Sequence, residues 1–352
     1  MENFICFTDF KFNCGTFKVI FIVNIDLIRE SGKYTLNKFE FENGEILENV
    51  EVEYILKGTP KYDRNGKINN AVIMCHKFDG NANAIEELYP LFSKDGPLNL
   101  NEIFIISITS LGSPDSCSPS STGLRYEFPE YNFKDKVNFK KQFIKEKFHI
   151  EKILGIIGSG MGGYELFTWA CEYPDDMDFI VVINSSFKTS GYRYAVSKGI
   201  KSIIEVNEDN YLDGHDNSLS EKMFAINKVM YSNYFSKKVF QKMSNDEIDV
   251  LMDDFADENI HRDIYDFKLQ TDAILKYDVE DKLSNIKAKT LVVTPSDDLY
   301  FSYELDIKPM ENLIENCQIE FFDLSKDYYD GIIDYNNLIN ILNPFLEEFR
   351  EF

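Results

Sequence analysis

Residues 152–173 read KILGIIGSGMGGYELFTWACEY. An apolar run, Ile153 to Ile157, enters the glycine-dense turn Gly158-Ser159-Gly160-Met161-Gly162-Gly163 and leaves with Leu166, Trp169 and Ala170 at helical spacing. The pattern predicts a strand, a sharp turn and a helix. In a G-x-nucleophile-x-G elbow, small flanking residues let the chain turn tightly enough to lift the middle side chain clear of the sheet. With Gly158 and Gly162 as the flanking pair, the middle position is Gly160, which has no side chain to lift. Ser159 lies one residue early. On so tight a turn that shift points its hydroxyl into the packing, where it would bond locally; the competing reading makes Ser159 a displaced nucleophile.

Outward from this turn, the chain alternates strand and helix signals. Residues 1–36 read as an extension with one or two strands and no chemistry of their own. From Asn37, alternating apolar and polar residues flank Asn43-Gly44, the pattern of a hairpin. Ala71 to Cys75 and Ile103 to Ile108 are apolar on both faces, as central strands covered by helices are. His76-Lys77-Phe78-Asp79-Gly80 turns off the first of them, and the Ser- and Pro-rich loop Leu111 to Gly123 follows the second. Phe133 to Phe148 has helical spacing, with Val137, Phe139, Phe143 and Ile144 inward, and Phe179 to Ile183 is a further apolar strand. Helical periodicity without strands then runs from about residue 189 to 284, after which Thr290 to Val293, Gln318 to Phe322 and a helix around Tyr335 to Phe349 resume the core pattern. The expectation is a mostly parallel sheet covered by helices, formed by residues 37–188 and 285–352, with a helical cap at 189–284. A cap inserted after a core strand lies over the carboxyl ends of the strands, where such sheets bind ligands.

Composition narrows the function classes. At 44% hydrophobic and 14% aromatic residues, the chain has enough apolar side chains for one large core. A formal net charge of -23 repels nucleic acid and anionic membrane, so neither is expected as a partner. The run Phe17 to Ile28 is interrupted by Lys18, Asn24 and Asp26 and is too short and polar to span a bilayer; Glu2 and Asp9 before it do not fit a signal peptide. Six cysteines lack C-x-x-C spacing, which argues against a metal site or a disulfide framework. A reduced, cytoplasmic protein without a bound cofactor is expected.

Several separated stretches resemble, in order, the homoserine O-acetyltransferase family of α/β-hydrolases. They are FEFENGEILENVEVEYILKGTP, NNAVIMCHKFDGNANA, LGSPDSCSPSSTG, FPEYNFKDKVNFKKQFIKEKFHIEKILGIIGSGMGG and YDFKLQTDAILKYDVEDKLSNIKAKTLVV, and the likeness extends over most of residues 38 to 350. It implies the α/β-hydrolase fold. It also implies transfer of an acetyl group from a coenzyme A thioester to a hydroxyl by an activated serine, a histidine and a carboxylate.

Carried onto this chain, the family pattern puts Gly160 where the serine stands. The acid falls on Asp298, with Asp297 as the alternative, and the histidine's place falls on Tyr328, or on Tyr329 if the register slips. The oxyanion donors, being backbone N–H groups, fall on Phe78 and Met161. His76 is read as a structural hydrogen-bonding residue; His149, His215 and His261 are read as solvated or capping. Tyrosine, with an ordinary pKa near ~10, is a poor general base at neutral pH.

Two functions follow. One is a binding protein without acyltransferase activity, holding a small acyl- or amino-acid-like ligand in the cleft or a partner. The other is an acyltransferase or hydrolase using Ser159 or a rearranged site. The resemblance further implies a homodimer through the helical cap, with the aromatics of Met230 to Phe235 either at that interface or packing the cap. Coenzyme A would need local positive charge, for which Arg193, Lys198 and Lys201 are candidates.

Overall fold

The computed structural model describes residues 4–12, 15–23, 28–93, 96–207, 219–233, 237–295, 298, 300–322 and 335–350. In chain order, β1 (Phe4–Phe12) and β2 (Gly15–Val23) pair with each other as a separate antiparallel ribbon. Next come β3 (Ile28–Glu40), β4 (Ile46–Gly58), β5 (Ala71–Cys75), β6 (Phe104–Ile108), the single turn α1 (Pro119–Thr122), α2 (Phe133–Phe148), β7 (Gly155–Ser159), α3 (Met161–Glu172) and β8 (Phe179–Ile183). Among the described residues, the helices α4 (Gly191–Glu205), α5 (Leu219–Tyr231), α6 (Lys237–Phe240), α7 (Asn245–Glu258) and α8 (Ile264–Leu275) follow. The chain then continues through β9 (Lys289–Pro295), α9 (Met310–Leu313), β10 (Cys317–Phe322) and α10 (Tyr335–Glu347).

β3 to β10 form one sheet in the order β10-β9-β8-β7-β5-β6-β4-β3. β4 runs antiparallel to both its neighbours, and the pairs from β6 through β5, β7, β8 and β9 to β10 are parallel. Parallel strands need covered faces, and every residue of β5, β6 and β8 is buried. α2 and α3 contribute to the core on one face; α10 and the 3-10 segment Ala82–Phe92 contribute to the other. Because the chain runs from β5 to β6 on one side and returns to β7 on the other, a crevice opens at the carboxyl ends of β5 and β7.

β3 begins at Ile28, so the stretch read as an extension to residue 36 supplies nine residues of a sheet strand. Its first half, Ile28-Arg29-Glu30-Ser31-Gly32-Lys33, is polar because β3 is an edge strand with one bonded neighbour; Lys33 pairs with Glu51 across the hairpin. The helices α4 to α8 lie between β8 and β9. Their two ends are stitched together, Thr189 N–H donating to Tyr277 O at 2.9 Å and Val279 N–H to Phe187 O at 3.0 Å. Tyr231 is buried inside this insertion against Phe240 and Phe255, so its ring packs the cap; Tyr234 and Phe235 lie outside the described residues. Among the described residues, no helix is long and apolar enough to cross a membrane.

α2 carries the clearest local signal. Asn132 caps its first turn by accepting from Lys134 and Asp135 N–H, and Asp135 answers from the third position, while His149 closes the other end at φ 56°. Its inward face includes two lysines as well as apolar residues. Lys140 is fully buried and pairs with Glu165 of α3 at 2.9 Å; Ser110 donates to the same carboxylate at 2.6 Å and Lys140 to Ile108 O at 3.2 Å. Lys136, also fully buried, donates to Leu111 O, and burial brings its pKa down to about 8. Burial opposes the charge on Glu165, yet the two lysines hold its pKa below the usual carboxylate range. Replacing Lys140 by Met would leave a buried carboxylate uncompensated and should cost about 3–5 kcal/mol in urea unfolding, most of which returns when Glu165→Leu is added. A loss below about 1 kcal/mol for the single variant would show that the pair is not buried as described.

Candidate active-site cleft

The glycine turn leaves the sheet at the crevice. Ser159 ends β7 in register with Ile183, and Gly160 follows with φ 52° and ψ -118°, before α3 begins at Met161. Only glycine takes this conformation without strain. Gly160 N–H is shared between Ile183 O and Asn184 O, each at 3.2 Å, and Ser185 Oγ donates to Gly160 O at 2.6 Å. Among the described residues, a Cβ placed on Gly160 would meet one atom within 4 Å, Lys77 Cβ at 3.6 Å. The flanking glycines are required by contact instead. A Cβ on Gly158 would lie 2.5 Å from Gly162 O, and one on Gly162 would lie 2.2 Å from Cys75 O. Ser159 is half-buried at the end of β7.

The turn after β5 lies against this apex. His76 is fully buried, with Nδ1–H donating to Lys77 O at 2.7 Å and Nε2 accepting Ser110 N–H at 2.9 Å. These partners assign the neutral ring with its proton on Nδ1. Burial, reinforced by Lys140, brings the His76 pKa down to about 4. Both nitrogens are occupied, so the ring supports the turn and does not serve as a base. Gly80 N–H closes the turn on Lys77 O at 3.0 Å, and the Phe78 ring packs on Phe267 of α8 at 4.9 Å between centroids. Among the described residues, neither Phe78 N–H nor Met161 N–H has a hydrogen-bond acceptor. Met161 is the first residue of a 12-residue helix, where an N–H has no partner along its own helix.

Asp298 follows β9 at the same end of the sheet. Its Oδ1 accepts Tyr300 N–H at 2.7 Å and Phe301 N–H at 2.6 Å, and its Oδ2 accepts the Asn184 side-chain amide at 3.0 Å. Asn184 therefore joins acid and elbow, because its backbone oxygen also receives Gly160 N–H. It sits at φ 46°, a left-handed conformation that asparagine tolerates better than most residues. Sequence reasoning passed over Asn184. The available signal was an asparagine ending an apolar strand. Asp297, Tyr328 and Tyr329 lie outside the described residues, as does His215. His149 caps α2, and His261 is exposed before α8.

The cations considered for phosphate binding are differently placed. Arg193 is 1% exposed and bonds both oxygens of Asp306, at 2.7 and 2.8 Å, as well as Tyr300 O at 3.0 Å. Its charge fastens α4 to the loop after Asp298, which leaves it unsuited to a ligand phosphate. Lys201 pairs with Glu205 and Asp272; Lys198 is exposed. The partner that occupies Arg193 lies far away in sequence.

The chain is 36% identical over 291 residues, covering 82% of it and 89% of the relative, to a "probable acyltransferase" of Methanothermobacter thermautotrophicus. It is 24% identical over 300 residues to the homoserine O-acetyltransferase of Corynebacterium glutamicum, covering 74% and 78% of the two chains. Among solved structures, the homoserine O-acetyltransferase of Bacillus anthracis superposes with a TM-score of 0.78 at 18% identity, over 91% of this chain and 98% of that one. That likeness shows the fold, an α/β-hydrolase fold. No family model matches the chain.

The different reasons for the glycines give an ordering. Gly160→Ala meets space but a left-handed backbone and should cost about 1–2 kcal/mol, whereas Gly162→Ala drives a methyl into Cys75 O and should cost about 3 kcal/mol or more. Denaturant midpoints of the two variants measure this, and the reverse order would contradict the assignment of the apex to Gly160.

Proposed function

We propose, from the premise that the chain belongs to the homoserine O-acetyltransferase family of the α/β-hydrolase superfamily, that this member binds a small ligand without forming an acyl-enzyme. The observation that carries the reading is Gly160, which keeps the backbone of the elbow apex and has no side chain to present there. The rest of the cleft keeps its supports. Asp298 is held by two backbone amides and Asn184, and the Phe78 and Met161 amides remain to receive the oxygen of a carbonyl or carboxylate. In the family pattern the histidine's place falls to Tyr328. The ligand class is a small acyl- or amino-acid-like molecule in the cleft beneath the helical insertion.

Rate arithmetic supports the reading. Losing the nucleophile of a serine triad costs on the order of a millionfold, and the members act as a unit, so losing the histidine as well adds little. His76, the buried imidazole beside the turn, uses both nitrogens structurally and offers no replacement. Purified protein given acetyl-CoA and homoserine should transfer acetyl groups at the no-enzyme rate, and an activated fluorophosphonate should leave no adduct. Transfer above that control, or an adduct, lost in Ser159→Ala, would replace this reading with an enzyme that uses Ser159.

A further inference from the structure

We propose that Asp266 is a proton-operated latch that seats α8 on the serine-rich loop 111–123 and so controls how firmly the Phe78 turn is covered. The inference rests on the reading of the Phe78 amide as a ligand contact and adds how that contact is regulated. Asp266 belongs to the helical insertion and is 5% exposed. Its Oδ1 accepts Ser120 N–H at 2.8 Å, and its Oδ2 accepts the Ser120 hydroxyl at 2.5 Å. One turn further along the same face, Gln270 Nε2 donates to Gly112 O at 2.7 Å. Phe267, the residue after Asp266, carries the ring that packs on Phe78 at 4.9 Å. A single turn of α8 therefore grips the loop near both its ends and covers the turn that holds the Phe78 amide.

A carboxyl group buried at such a junction favours its neutral form unless a cation faces it. The cations of the neighbouring elements are committed elsewhere: Lys136 of α2 to Leu111 O, Arg193 of α4 to Asp306, Lys201 of α4 to Glu205 and Asp272, Lys268 of α8 to Asp272, and Arg262 before α8 to Asp79. Lys198 of α4 is exposed, as are Arg125 and Glu127 on the turn beside α8. The Cys117 thiol and the Tyr131 hydroxyl, which burial keeps protonated, feel the Asp266 charge from the core side, and Asp263 at the start of α8 adds a charge of like sign. Burial, only partly offset by the bonds from Ser120, raises the Asp266 pKa to about 6.

Protonation costs the junction no bond. The neutral acid still accepts Ser120 N–H on one oxygen, and the other oxygen donates to the Ser120 hydroxyl instead of accepting from it. With α8 unseated, the carboxyl returns toward its ordinary pKa of 3.8. The seated pKa is the higher of the two, so proton uptake favours the seated helix below about pH 6, and this contribution is lost as pH rises through 6. Between pH 8 and pH 5.5 the seated form gains about fourfold.

Hydrogen exchange of the full chain, corrected for the intrinsic effect of pH, tests the latch. The Ser120 amide should be about fourfold better protected at pH 5.5 than at pH 8, and the amides of residues 77–80 should follow it. In Asp266→Asn, a neutral isostere able to make the same two contacts, both changes should disappear. Carbon NMR of the aspartate carboxyls in the unmodified chain should show one midpoint near 6, absent from Asp266→Asn and moved to higher pH in Ser120→Ala, which lacks the hydroxyl that stabilises the charge. A Ser120 change below about twofold, one that persists in Asp266→Asn, unchanged protection at residues 77–80, or an Asp266 midpoint near 4 would overturn the proposal. None of these measurements uses a ligand, so such results leave the non-acylating reading standing, whereas an acyl group on Ser159 would remove that reading without altering the titration.

Discussion

The cleft depends on one backbone constraint, the left-handed turn at Gly160 between β7 and α3. Everything around it is arranged to keep the chain in that conformation. α3 approaches β5 so closely that Gly162 has no room for a methyl group against Cys75 O, and Gly158 has none against Gly162 O. The N–H of Gly160 is held by Ile183 and Asn184, and its oxygen by Ser185. In a catalytic elbow this strain serves to lift a side chain. Here glycine removes the strain and the side chain together, so the turn keeps its path without the group that such a path presents.

The polar network below the turn has the same character. Lys136, Lys140 and Glu165 are fully buried where α2 and α3 meet, and Ser110 and His76 extend the network to the turn that carries Phe78. Charges so buried contribute little net stability compared with well-packed apolar residues, but removing one partner is costly, which restricts how the helices can sit. The network therefore bears on geometry: it ties the turn after β5 to α2 and α3. On the other side of the apex, Asn184 links the elbow to Asp298, and Arg193 with Asp306 fastens the following loop to the first helix of the insertion. These linkages hold Asp298 in relation to the Gly160 turn.

Much of the fold was legible because its signals are local. The runs Ala71 to Cys75 and Phe179 to Ile183 are strands apolar on both faces, Asn43-Gly44 lies in the hairpin turn, and the glycine spacing marks strand, turn and helix. What escaped was set by partners distant in sequence. The edge strand β3 starts among polar residues, with one bonded neighbour among the described strands, so apolar periodicity could not reveal it. Lys140 and Glu165 look like surface residues until α2 and α3 are brought together, and Arg193 looks like a ligand's cation until Asp306 is placed against it. Asn184 was missed for a different reason: its importance lies in a positive φ and a side chain reaching over a hundred residues ahead to Asp298.

A high-resolution crystal structure of the protein tests this account most directly at residues 158–163. The account predicts Gly160 at positive φ, and Ser159 in the β7 ladder away from any imidazole. A structure in which the Ser159 hydroxyl occupies the apex within hydrogen-bonding distance of a histidine nitrogen would contradict it.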